Sequence, residues 1–157
     1  MRDSQYLLSL LDYNQWANEK FFDRLVELPV DEVAKVRESQ MKSMLVSMNH
    51  LLVIDKVWLA HMKGEKHSYT SLQTMLHEDI GELRAAKDAE IRTYVEGLDD
   101  AALEEVVEYE LMSGNKGKLP RYMIITHLSV HGGYHRGFIG DMFGQIPAPS
   151  IGQDIPV

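Results

Sequence analysis

Apolar residues recur at alternating steps of four and three along several stretches of the chain, the spacing of helices that bury one face. The first stretch starts at Ser4 and stops before Pro29, because proline is rarely tolerated inside a helix. Its inward positions are Leu7, Leu11, Asn14, Asn18, Phe21, Leu25 and Leu28. Two consecutive asparagines interrupt this apolar face, and buried polar groups need partners. We therefore predict that Asn14 and Asn18 face a pocket or another polar side chain.

Two more helices of this kind follow. The second runs from about Met41 to Lys63 and ends at Gly64. It is apolar almost all round, which predicts burial on more than one side. The third starts after Ser71, a good N-cap residue, and continues to about Gly97. We assign its charged positions to a solvent-exposed face, namely Glu78, Glu82, Asp88 and Arg92.

The hydrophobic period then changes from helical to alternating. Val107, Tyr109 and Leu111 alternate with glutamates, as in a half-buried strand, and residues 113–117 are turn material. We predict a small β-hairpin here, followed by a fourth helix that opens at Pro120. The fold class is therefore all-α: an up-down four-helix bundle with a small β-hairpin in the crossover before the last helix.

Glycine is unusually frequent in the fourth helix, at positions 132, 133, 137, 140 and 144. Each interior glycine destabilises a helix by roughly 1 kcal/mol relative to alanine, so this segment needs a compensating interaction. Close approach of another helix, or of a second subunit, would supply one. We therefore expect a homodimer.

Composition narrows the class of protein. A chain of 157 residues fits one domain, spanning residues 1–157. The absence of cysteine excludes disulfides, iron–sulfur clusters and a cysteine nucleophile. A formal charge of −8 without a basic cluster disfavours nucleic-acid binding. No apolar run approaches the roughly 20 residues of a membrane helix, and the N-terminus lacks a signal-peptide pattern. We expect a soluble cytoplasmic protein without a membrane partner.

The most informative chemistry is a histidine pair in the fourth helix. His131 and His135 are four residues apart, so they project from one helical face and can reach one metal ion. His50, in the apolar second helix, can join them if the helices pack together. His127 belongs to the same row, but it lies about 12 Å along the axis from His135, so we assign it a packing or supporting role. The pattern is not that of zinc peptidases, because Gly132 stands where their catalytic glutamate follows the first histidine.

The other polar candidates carry a weaker signal. His61, His67 and His77 have no partner at helical spacing, and we interpret them as solvent-exposed histidines. Five residues are candidates for the surroundings of a metal pocket: Asn14, Asn18, Asp55, Tyr134 and Arg136. Three neutral histidines leave coordination positions open, as in catalytic metal sites. Imidazole ligands suit zinc, nickel, iron or copper and do not choose among them.

Three segments of the chain together resemble the DinB-like (YfiT-like) metalloenzymes. Residues 12–18 (DYNQWAN) are similar to the N-terminal signature of that family, and residues 50–59 (HLLVIDKVWL) to its second-helix pattern. Residues 127–137 (HLSVHGGYHRG) resemble its fourth-helix signature, although Val130 stands where asparagine is usual. Asp154 resembles an acidic position in the family's tail.

The resemblance implies a four-helix bundle, usually dimeric, with a divalent metal ion such as zinc, nickel or iron on His50, His131 and His135. Some relatives are metal-dependent thiol-S-transferases or isomerases that use low-molecular-weight thiols. Others are described only as induced by DNA damage. Our first hypothesis is a metal-dependent enzyme that activates a small thiol, or water, for transfer to an electrophilic small molecule. The alternative is a non-enzymatic, metal-binding stress protein. Catalytic residues beyond the metal ligands cannot be named from the sequence.

Overall fold

Four long helices, joined by shorter elements, make up most of the structure. The computed structural model describes residues 4–69, 77–147 and 151–152. The elements are α1 (Ser4–Val26), α2 (Val30–Ala34), α3 (Met44–Lys63), α4 (His77–Glu96), α5 (Asp100–Glu104), β1 (Val106–Glu110), β2 (Lys116–Pro120) and α6 (Arg121–Phe143). The long helices α1, α3, α4 and α6 are the four that the sequence predicts. The short helices α2 and α5 have no counterpart in the prediction.

Local capping chemistry explains where α3 begins and ends. Its start is at Met44 rather than Met41, because the Ser43 hydroxyl accepts a hydrogen bond from the Val46 backbone N–H at 3.2 Å. Its end is the predicted one, with Gly64 in the left-handed region at φ 69°. The predicted cap Ser71 lies outside the described residues, as do Asp154 and the tail prolines Pro149 and Pro156.

The predicted hairpin is present. Strands β1 and β2 pair antiparallel, with Val107 opposite Leu119 and Tyr109 opposite Gly117. Pro120 ends β2 and directly precedes α6, where its missing N–H leaves no intrahelical bond unmade. None of the helices within the described ranges has the length and apolar character needed to cross a membrane.

The long helices run in an order that differs from the predicted up-down alternation. Helices α1 and α3 each pack mainly against α4 and α6. In α3 and α4, Asp55 meets Arg84 and Lys63 meets Glu90, so these two helices run in the same direction. Helices α1 and α6 are also parallel. The Ser129 hydroxyl donates to the Leu10 carbonyl, and further toward the C-terminal end of both helices Arg136 donates to Asn18. The order of directions is therefore up, down, down, up, which the hydrophobic period alone could not reveal.

Two apolar clusters fill the interior between the long helices. The first contains Leu7, Leu11, Trp58, Leu59, Met62, Ile91, Val95, Leu103, Val107, Ile124, Ile125 and Leu128. The second contains Phe21, Phe22, Leu25, Val33, Met44, Met48, Leu51, Leu52, Ile80, Ile139, Met142 and Phe143. Between them, each long helix contributes buried polar side chains, which we call the polar layer: Asn14, Asn18, Asp55, Arg84, Asp88 and Arg136.

Candidate metal centre

Three histidines from two helices meet at the level of the polar layer. His50 comes from α3, and His131 and His135 lie one turn apart on α6. Their ring centres are 5.3 Å (His50–His131), 4.4 Å (His50–His135) and 4.4 Å (His131–His135) apart. One nitrogen from each ring lies within 4.8 Å of the other two, so the set could hold a metal ion. The structure thus brings together all three histidines that the sequence singles out.

The protonation of these rings suits metal binding. Burial lowers the pKa of His131 to about 3, helped by the neighbouring His135, and lowers the pKa of His135 to about 4. Burial also lowers the pKa of His50. The imidazoles are therefore neutral at pH 7, the form that coordinates metals. Nδ1 of His131 and Nδ1 of His135 are buried without a hydrogen-bond partner among the described residues. Such atoms call for a ligand, so the donor set fits a divalent ion.

His127 continues the histidine row but stands apart from the trio. Its ring centre is 5.2 Å from that of His131 and 5.5 Å from the buried ring of Trp58, which it meets edge-on. The metal-capable set does not include it. Its position between Trp58 and His131 matches the packing role expected from its place in the helix.

The polar layer lies beside this trio and joins three helices. Arg136 Nη1 donates hydrogen bonds to Asn14 Oδ1 and Asn18 Oδ1, each at 2.7 Å. The Asn18 amide in turn donates to the Asp88 carboxylate at 3.1 and 3.2 Å. The predicted polar partners of the two asparagines are thus Arg136 and Asp88. Because Arg136 directly follows His135, these bonds fix α6 against α1 next to the candidate ligands.

Arg84 joins the layer to α3 and was not singled out from the sequence. It binds Asp88 through two nitrogens, at 2.7 and 3.1 Å, and donates to Asp55 Oδ2 at 2.7 Å. Burial raises the pKa of Asp55 to about 6, against the opposing effect of the Arg84 guanidinium. The assignment of Asp88 to an exposed face was wrong, since its side chain is buried. The missed signal is the spacing of Ile80, Arg84, Asp88 and Ile91, which continues the buried face of α4.

Comparison with known proteins identifies the family of the chain. The model of the DinB family matches residues 1–156. The chain belongs to the DinB family. The curated Protein DinB of Bacillus subtilis (strain 168) is 27% identical over 158 aligned positions, which cover 90% of this chain and 87% of that protein. The resemblance drawn from three sequence segments is therefore confirmed over nearly the whole chain.

One departure of this DinB-family chain from the expected pattern faces solvent. Val130, where asparagine is usual, is 66% exposed, so its side chain does not belong to the buried surroundings of the histidines. Tyr134 is also exposed, yet its ring meets His135 at 5.1 Å and its hydroxyl lies 3.4 Å from Gln40 Oε1. Tyr134 is thus placed at the rim of the trio rather than in the polar layer.

The other histidines of this DinB-family protein are not simply solvent-exposed. His61 and His67 are half-buried and touch each other, with ring centres 5.0 Å apart. Their assignment to solvent was wrong, because the chain turns at Gly64 and brings His67 back to the end of α3. The side chain of His77 lies outside the described residues.

Gly132 should be intolerant of a side chain. A Cβ there would lie 2.8 Å from Arg136 Nη1 and closer still to Asn14 Oδ1. Gly132→Ala should therefore break the Asn14–Arg136 contact and lower the free energy of unfolding by about 1–3 kcal/mol. A Cβ at Gly137, on the same helix, meets nothing within 4 Å. The matched variant Gly137→Ala should gain up to about 1 kcal/mol. Chemical denaturation of both variants measures the difference, and equal effects would contradict this account of Gly132.

Metal bound by this DinB-family site should leave on acidification. Protons compete for the three imidazoles only near and below their lowered pKa values, about 4 for His135 and about 3 for His131. Metal content after dialysis should therefore hold from pH 8 to about 5 and fall steeply below, since several ligands protonate together. Metal retained at about pH 3 would argue against histidine ligation.

The stability of the metal-free protein should show two opposing pH effects. The histidine pKa values are lowered in the folded protein from about 6.5 in the unfolded chain. As pH falls below about 6.5, the unfolded chain therefore binds protons first, and the free energy of unfolding decreases. Asp55, whose pKa is raised to about 6, contributes stability as pH falls from about 6 toward 4. Metal content is therefore a cleaner readout of the trio than melting temperature.

Proposed function

We propose that this protein is a divalent-metal-dependent enzyme that activates a small thiol, or water, for transfer to an electrophilic small molecule. The observation that carries the proposal is the set of three neutral imidazoles within 4.8 Å of one another. Three protein ligands leave coordination positions open, the arrangement of catalytic rather than structural zinc sites. Membership in the DinB family also supports a metal-binding function.

The chain's own residues account for binding and orientation. His50 and the His131–His135 pair would hold the ion, and a coordinated thiol or water is deprotonated more easily than a free one. The bonds from Arg136 to Asn14 and Asn18 keep the ligand-bearing part of α6 in place against α1. Tyr134 borders the trio from the solvent side, where an incoming electrophile would meet it.

Turnover with thiols tests the proposal directly. Metal-free protein is loaded separately with zinc, nickel or iron and incubated with a panel of low-molecular-weight thiols and a chromogenic electrophile. We expect consumption of thiol and electrophile that requires the metal and disappears in His131→Ala. Full metal occupancy without turnover across the panel would overturn the proposed enzymatic function and favour the alternative, a non-enzymatic metal-binding stress protein. His127→Ala serves as the matched control, because it removes a neighbouring imidazole but no proposed ligand.

We also propose that α1, α3, α4 and α6 form a four-helix bundle of the up-down-down-up order and that the protein is a homodimer. Val130 is exposed on α6, which leaves part of this helix free to face a second copy. Light scattering at micromolar concentration should give twice the mass of the 18.0 kDa chain. A monomeric mass would contradict the dimer without affecting the metal proposal.

A further inference from the structure

A second pair of histidines faces a groove at the hairpin end of the molecule. The groove has a volume of about 1020 Å³ and lies between the hairpin and the segment that follows α3. None of the trio His50, His131 and His135 lines it, whereas His61, His67, Tyr69 and Tyr109 do. The pair is therefore separate from the candidate metal centre, and His61 lies eleven residues beyond His50 on α3.

Backbone geometry brings these two histidines together. His61 lies in the last turn of α3, and Gly64 ends the helix with a positive φ of 69°. The backbone N–H groups of Gly64 and Glu65 donate to the carbonyls of His61 and Ala60, which fixes this turn. The chain then brings His67 against His61, with ring centres 5.0 Å apart and ring planes at 83°.

This separation of the ring centres is compatible with a shared metal ion. Two imidazoles that bind one tetrahedral ion at about 2.0–2.1 Å place their ring centres about 5 Å apart. Nε2 of His61 and Nδ1 of His67 are both buried without a hydrogen-bond partner in the part of the chain that the structure describes. Buried polar nitrogens normally have a hydrogen-bond partner, a bound water or an ion.

The surroundings of His61 favour the neutral form of its imidazole, which is the form that binds metal ions. Burial lowers the pKa of its imidazole, which outweighs the opposing effect of a hydrogen bond to the Glu110 backbone. A ring that donates one N–H to a backbone carbonyl presents its other nitrogen as an acceptor, as metal-bound histidines do. Since Nε2 is the unpartnered nitrogen, it is the one presented to the ion.

We propose that His61 and His67 bind a second divalent transition-metal ion. Imidazole nitrogens select ions such as zinc, nickel and copper over magnesium or calcium. Glu65 and Glu110 also line the groove, but within the described residues no carboxylate forms a set of three ligands with the two rings, so water completes the coordination. The ion would tie the segment after Gly64 to the end of α3.

Stoichiometry in the full-length chain tests this site apart from the first one. Equilibrium dialysis against zinc at pH 7.5 should give about two ions per chain for the unmodified protein and about one for His67→Ala. His131→Ala should also retain about one, and the double variant close to none. His77→Ala, which removes a histidine from neither proposed set, should match the unmodified protein. Circular dichroism checks that each variant is folded.

Two results would overturn the second site. One is a single ion per chain in the unmodified protein that is lost in His131→Ala. The other is an unchanged stoichiometry in both His67→Ala and His61→Ala. Copper loading of the His131→Ala variant supplies an independent readout, since electron paramagnetic resonance should show hyperfine coupling to two nitrogens, and to fewer in His67→Ala. Failure of the first site would instead appear as unchanged binding in His131→Ala.

Discussion

Arg84→Ala should lower the free energy of unfolding by about 3–5 kcal/mol, the usual effect of removing one partner from a buried ion pair. The Arg84 side chain is 2% exposed and binds both Asp55 and Asp88. Without it, two buried carboxylates would lose the cation that contacts them both. Urea denaturation at pH 7.5 measures the loss.

Arg92 on the same helix provides a matched control. It also pairs with two carboxylates, Asp12 and Glu96, but its side chain is 36% exposed and those of its partners about half exposed. Exposed pairs contribute roughly 0–1 kcal/mol, so Arg92→Ala should have little effect. The penalty of Arg84→Ala should also shrink at about pH 5.5, because protonation neutralises Asp55, whose pKa burial raises to about 6. Equal losses in the two variants would show that the polar layer does not act as a buried ion network.

His131→Ala should abolish tight metal binding at the trio. His131 contacts both other histidines of the set, and its loss leaves only His50 and His135. Changes around the ligands typically weaken metal affinity about 10–100-fold, so the loss of a ligand should exceed that range. Metal competition with a chromophoric chelator would measure the affinity. His127→Ala should keep most of it.

Thermal stability should report the same change. An ion present at 100 times its Kd and bound only to the folded state stabilises the fold by about 2.7 kcal/mol. The rise in Tm on addition of metal should therefore be large for the unmodified protein and much smaller for His131→Ala. An undiminished rise in Tm together with unchanged affinity would remove His131 from the ligand set.

Much of this architecture can be predicted from local patterns of apolar and polar residues in the sequence. The four long helices and the hairpin follow from hydrophobic periods of about 3.6 and 2. The meeting of His131 and His135 follows from their spacing alone. His50 could be added because it is a polar residue in a helix that is apolar almost all round, and such a residue needs a partner inside the protein.

The parts that were missed depend on partners distant in sequence. Arg84 and Asp88 look like a solvated surface until Asp55 and Asn18 are placed beside them by other helices. The direction of each helix depends on the connections, whose lengths do not encode it. His61 and His67 meet only because the backbone turns at Gly64, which no helical spacing predicts.

The polar layer also limits which structures the sequence can form. Apolar helix faces alone can slide past one another, because a leucine packs acceptably in many places. A slide of α4 along α3 by one turn, about 5.4 Å, would move Arg84 away from Asp55 and toward buried apolar side chains of α3 such as Leu51 or Leu59. Misaligned packings thus leave charges unpaired in the interior and are strongly disfavoured. The polar layer thereby fixes the register of the helices and selects the alignment of α3 and α6 in which the three histidines face each other.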